Sequence, residues 1–338
     1  MTTTDPSKTG RAASWKPTLP FGKRSATGSA TPPPPRRRSQ PPRPPRRIPP
    51  RRPQEPLTTA QSVVRAALML LSALMLALVL SVTVFGQIRH FAAQQQLSDS
   101  FRSQLAEGVA PVSEGTFDDV LLTSGAPVAL LEIPAIGVRE VVVEGTDPAT
   151  TQLGPGHRRD TVLPGQAGVS IIMGRAAGYG GPFGRLQQLV PGTTFTVTTG
   201  QGQHEYEVIG VRYAGDPAPP PLTAGKSRLT LISATGLPYI TTGLVRVDAQ
   251  LTSEAQPTGV RQTRFATLPA ADKELAGDLS MAWALVFALQ FLLLVEIAAV
   301  WSFRRVGATR TWIVFVPLTL FACLWVAGEL SRLMPNLM

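Results

Sequence analysis

Three apolar runs, at residues 63–86, 279–303 and 312–330, constrain this chain of 338 residues more than any other feature. About twenty apolar residues in helical conformation cross the hydrocarbon core of a bilayer, so each run is read as a transmembrane helix. The first follows some sixty residues of polar chain, too far from Met1 for an ordinary signal peptide, and it ends without a clear small-residue cleavage site. It is read as a retained anchor.

The charge distribution sets the expected orientation. The formal net charge is +10, and residues 1–56 hold thirteen Lys and Arg against Asp5 and Glu55. The rest of the chain is therefore close to neutral, which removes the main support for nucleic-acid binding. Residues 1–61, with Pro32-Pro33-Pro34-Pro35-Arg36-Arg37-Arg38 near their centre, alternate proline with arginine and hold few apolar groups. Proline withholds amide donors and like charges repel, so this tail is expected to be disordered and solvated. By the positive-inside rule it stays cytoplasmic, as does the link carrying Arg304, Arg305 and Arg310 between the second and third runs. The expectation is a plasma-membrane protein with three spans, a cytoplasmic N-terminus, and the intervening domain and C-terminus extracytoplasmic.

Glu296 and Gln290 lie inside the second run. An ionisable side chain at that depth costs on the order of 2.5 kcal/mol or more, so both are candidates for contact with a neighbouring helix or a membrane-protein partner. Cys323, the single cysteine, lies in the third run and is read as a small packing residue; a lone cysteine makes no intrachain disulfide.

Between the first two spans the texture changes twice. Residues 89–114 hold helix formers without a breaker and read as a helical stalk. Residues 115–255 carry short β-branched runs separated by glycine and proline, and residues 256–277 read as a linker. Strand candidates are Val141-Val142-Val143, Val169 to Met173, Thr193 to Thr199, Glu205 to Tyr213, Arg228 to Ser233 and Leu244 to Leu251. Alternation in Thr196-Val197-Thr198 and Tyr206-Glu207-Val208 marks half-buried strands. The fold class expected is mainly β: a closed barrel of about seven or eight strands with short helices, beside three transmembrane helices and the disordered tail. Asp216 to Pro221 is a proline-rich insertion, read as a stiff surface loop, with a lid over a binding cleft as the alternative.

Leu131-Glu132-Ile133-Pro134-Ala135-Ile136-Gly137-Val138, Glu144-Gly145-Thr146, Gly154-Pro155-Gly156-His157, Leu163-Pro164-Gly165-Gln166, Tyr179-Gly180-Gly181-Pro182-Phe183 and Leu229-Thr230-Leu231-Ile232 follow one another at separations that resemble the sortases of actinobacteria, class E and related groups. The resemblance implies a β-barrel with an outward peptide groove, and it implies where a histidine, a cysteine and an arginine stand in active members. Here those positions hold Arg175, Ala234 and Leu244. Arginine does not exchange protons near neutrality, alanine has no nucleophile, and leucine has no charge. The expectation is a pseudoenzyme that binds or assembles rather than cuts. Arg175, Arg246 and Tyr179 are its candidate binding residues, for an extended peptide or an anionic envelope ligand. The alternatives are an active transpeptidase or hydrolase using an atypical hydroxyl such as Ser233 or Thr235, and a passive anchor with an empty cleft. No cofactor is expected, and no histidine or cysteine cluster has metal-ligand spacing.

Overall fold

A computed structural model describes residues 58–116 and 120–338. The expected disorder of the N-terminal tail falls largely outside these residues. The described chain begins with α1, Thr59–Leu80, whose first turn is closed by a reciprocal capping box between Thr58 and Gln61. A π-helical turn, Ser81–Phe85, joins it directly to α2, Gly86–Glu107. Gly108, at φ 71°, ends this long helix in the left-handed conformation that glycine adopts without a Cβ penalty.

The anchor and the segment read as a stalk are thus continuous, and the stalk is docked rather than free-standing. Gln94 works as a surrogate strand edge: its Oε1 accepts from the Val141 amide at 2.7 Å, and its Nε2 donates to the carbonyls of Val141 and Leu153 at 3.1 and 2.9 Å. His90 pairs with Glu140 at 3.1 Å. Phe101 packs with Ala110 and Val141.

Eight strands then close into a barrel: β1 (Pro127–Ile133), β2 (Val138–Glu144), β3 (Gly156–His157), β4 (Gly168–Met173), β5 (Thr194–Thr199), β6 (Gly202–Arg212), β7 (Ser227–Leu237) and β8 (Ile240–Leu251). Their order around the barrel is β1-β2-β3-β4-β7-β8-β6-β5, with β5 returning to β1. Two of these strands, β1 and β3, were not among the candidates read from the sequence. β1 is largely buried along its whole length, so its residues show no polar alternation. β3 is only two residues long.

Alternation along the strands decides which side chains fill the barrel. Ile172, Phe195, Val197, Tyr206, Val208, Leu229, Leu231, Val245 and Val247 belong to the central core. Their sequence neighbours Met173, Thr230, Ile232, Leu244, Arg246 and Asp248 therefore stand on the outer surface of the β4-β7-β8 sheet, where Ala234 clusters with Met173 and Ile232.

After β8 the chain runs along the barrel through the 3₁₀ turns Phe265–Thr267 and Ala270–Asp272, then enters α3, Ala282–Val306, and α4, Ala308–Leu333. The described residues contain three helices long and apolar enough to cross a membrane. They meet through small residues, Ala77, Ala288, Ala322, Cys323 and Ala327, which allow close backbone approach where no water drives association.

Candidate functional site

The loop from Gly174 to Gly184 connects the barrel to the helices. Gly174 has no space for a side chain, since a Cβ there would stand 2.5 Å from the Phe183 ring. Tyr179 takes φ 51° and is 2 % exposed. Its hydroxyl meets Ser331 Oγ of α4 at 2.8 Å, so the loop is fastened to that helix.

Arg175 stands between this loop and the sheet. Its guanidinium lies 5.1 Å from the centre of the Tyr179 ring, donates from Nη2 to the Pro148 carbonyl at 2.8 Å, and donates from Nη1 to the Met338 carbonyl at 3.0 Å. Desolvation lowers its pKa to about 10, against opposing effects of Tyr179 and Asp147. The group stays charged at neutral pH.

Ala234 on β7 pairs directly with Leu244 on β8, and Met173, two residues before Arg175, pairs with Ile232 on β7. Arg175, Ala234 and Leu244, separated in sequence, are thereby brought to one end of one sheet face. Leu337 occupies the space among them: it is fully buried and clusters with Met173, Ile232 and Ala234, with Ala176 and Leu244 alongside.

The segment carrying Leu337 is held by its backbone and by its neighbour. Ala176 N–H donates to the Leu337 carbonyl at 3.0 Å. The Asn336 amide donates from N to the Ala276 carbonyl at 2.9 Å, and its side-chain Nδ2 donates to the carbonyls of Thr146 and Lys273 at 2.6 and 2.9 Å. Thr146 is fixed in turn by Asp272, whose carboxyl accepts from the Thr146 amide at 2.9 Å and is pushed up by burial. Asn336, Leu337 and Met338 thus pack against this end of the sheet face and close a cleft there, beside a residual cavity of about 210 Å³ bordered by Ala176, Ala234 and Tyr239.

The other sequence candidates are placed elsewhere. Arg246 shares the outer face with Leu244 but forms an ion pair with Glu274. Ser233 is fully buried and donates to the Gly174 carbonyl at 2.9 Å. His157 is also buried, with Nδ1 2.8 Å from Glu144 and Nε2 2.9 Å from the Val162 carbonyl. Glu296 accepts from Thr319 of α4 at 3.2 Å, whereas Gln290 is exposed on the surface of α3. Sequence reasoning missed Asn336 and Leu337. Arg175 and Met338 are 163 residues apart, and no local pattern announces a pairing over that separation.

Residues 131–247 match the family model of the sortase domain. No curated protein gives a significant match. Among solved structures, sortase E from Streptomyces avermitilis is 27% identical, covering 45% of this chain and 100% of that one, with a TM-score of 0.34. Sortase E1 from Streptomyces coelicolor, solved with a tripeptide in its active site, is 21% identical over 39% of this chain and 92% of its own, with a TM-score of 0.33. A sortase D5 transpeptidase from Clostridium perfringens is 19% identical over 48% and 98%, with a TM-score of 0.38. On the match of residues 131–247 the barrel is a sortase-like domain, set in a chain that also carries three candidate membrane helices.

Proposed function

We propose that the chain is a sortase-fold pseudoenzyme of an actinobacterial plasma membrane, with its N-terminus cytoplasmic and its barrel and last residues extracytoplasmic, acting as a binding or assembly subunit at the cell envelope. The observation that carries this reading is the chemistry at the cleft. Where the resemblance implies histidine, cysteine and arginine, Arg175, Ala234 and Leu244 converge, and Leu337 fills the space between them. A transpeptidase needs a nucleophile and a group that exchanges protons near working pH. Arg175 meets neither need and is spent on two carbonyls and an aromatic face.

The competing enzymatic reading needs a hydroxyl. Ser233 Oγ already donates to a carbonyl, and the ring nitrogens of His157 are both engaged. In the membrane, Gln290 on the open surface of α3 supports contact with another membrane protein, because an amide facing lipid gains from a hydrogen-bonding partner. Glu296 is instead used within the helix pair.

The test is a transpeptidation and hydrolysis assay of the full chain with sorting-signal peptides, with and without residues 335–338, and with Ser233→Ala and Thr235→Ala. Both forms are expected to be inert. Turnover that disappears in either alanine variant would establish the enzymatic reading in place of this one.

A further inference from the structure

At the opposite end of the same sheet face lies a second concavity, of about 520 Å³, roofed by Pro219, Pro220, Pro221 and Leu222 of the proline-rich loop. Its floor is cationic. Arg212 of β6, Lys226 of the loop and Arg228 of β7 all border it, with Asp248 of β8 as the one acidic neighbour.

Asp248 is already committed. It accepts from Arg212 in a bidentate ion pair and from Thr230 at 2.8 Å. That leaves Arg228, which is 9 % exposed and has no hydrogen-bond or ion-pair partner among the described residues; its Nε is buried and unsatisfied. Taking a guanidinium out of water without pairing it is costly. Arg212 shows how a structural arginine is accommodated on this face, and Arg228 lacks that accommodation. Lys226, exposed at the rim, adds a second uncompensated charge.

We infer that this pocket binds the carboxylate of an acidic side chain on an extended polypeptide, with the carboxylate on Arg228 and Lys226. Two features select that class. Ile209, the prolines and Leu222 present apolar walls, which suit the methylene stem of a glutamate better than the hydroxyl-bearing backbone of a glycerol-phosphate polymer. The nearby Asp248 disfavours a phosphomonoester dianion more than a singly charged carboxylate. The proline roof has little backbone freedom to lose on binding. Arg228 and Ala234 are six residues apart on β7, about 20 Å along the strand, so the site is independent of whether the plugged cleft has any chemistry.

The experiment measures fluorescence anisotropy of a BODIPY-labelled Ala-Ala-Glu-Ala-Ala peptide and its Gln counterpart with the full chain in detergent. The Glu peptide is expected to bind about tenfold more tightly, as a charge-assisted hydrogen bond to a largely buried, unpaired arginine implies. Arg228→Gln should abolish the preference with Gln-peptide binding unchanged, and high salt should shrink it. Equal affinities for the two peptides, or a preference that survives Arg228→Gln, would overturn the inference. Should Arg228→Gln fail to fold, Lys226→Gln at the exposed rim decides: a preference reduced by about threefold or more supports the pocket, and an unchanged one refutes it. A glycerol-phosphate polymer that competes more strongly than the Glu peptide would assign the pocket to phosphodiesters and also defeat the proposal. None of these readouts depends on transpeptidation, so this site and the pseudoenzyme reading fail separately.

Discussion

His204 illustrates how single residues tie this barrel to pH. It stands on β6 beside Gly165, where an added Cβ would be 2.3 Å from its ring, and its Nε2 lies 3.1 Å from Thr199 Oγ1. Burial lowers its pKa from the ordinary 6.5, so between the folded and unfolded values the unfolded chain binds more protons. Its contribution to stability is therefore complete above about pH 6.5 and is lost as pH falls through the folded value. The melting temperature should drop on acidification, and His204→Gln should flatten that dependence below pH 6.5 relative to the parent protein. An unchanged slope would mean that other groups set the acid limb. Arg175 behaves differently, because a pKa near 10 keeps it cationic through this range. Its interactions with Pro148, Met338 and Tyr179 should be insensitive to pH between 5 and 8.

At the scale of elements, the docking of α2 is where sequence and structure part company. Helical character up to Glu107 follows from composition, although residues 108–114, read as part of the same stalk, leave the helix at Gly108; the barrel follows as well, because the β-branched runs of β2, β4 and β5 to β8 alternate or cluster as strands do. Neither property reveals that Gln94 would hydrogen-bond the backbone of Val141, 47 residues away. Side-chain to backbone contacts of this kind depend on which helix face meets the barrel, and composition alone does not give that face. The pairing of Ala234 with Leu244 is legible because β7 and β8 follow one another as a hairpin. The pairing of Arg246 with Glu274 is not, since it depends on how residues 256–277 lie against the barrel. Gln94→Ala removes the acceptor of the Val141 amide and two donors. A buried amide left without its partner costs about 1–3 kcal/mol, so amide exchange at Val141 should accelerate by one to two orders of magnitude, with slower-exchanging core strands such as β7 unaffected. Uniform acceleration across the barrel would instead show that α2 is part of its global stability.

Across the described residues, the apolar helices and the barrel are linked at two places. The continuous helix from Thr59 to Glu107 enters the barrel through Gln94 and His90. The last span returns through Ser331 to Tyr179 and then sends Asn336 and Leu337 into the cleft. Burying a leucine side chain contributes roughly 1.5–3 kcal/mol, and four hydrogen bonds from Asn336 add to it. The cleft is therefore closed by contacts of ordinary strength. A cysteine at position 234 reports on this closure directly. In a Cys323→Ala background, Ala234→Cys should react slowly with a small maleimide in the full-length chain, because Ala234 is 7 % exposed and faces Leu337. Removing residues 335–338 should raise the rate by at least tenfold, since a closure worth about 1.4 kcal/mol already corresponds to that factor. Equal rates in the two forms would mean that the segment leaves the cleft readily in the membrane, and the site would then have to be regarded as open to ligands from outside the chain.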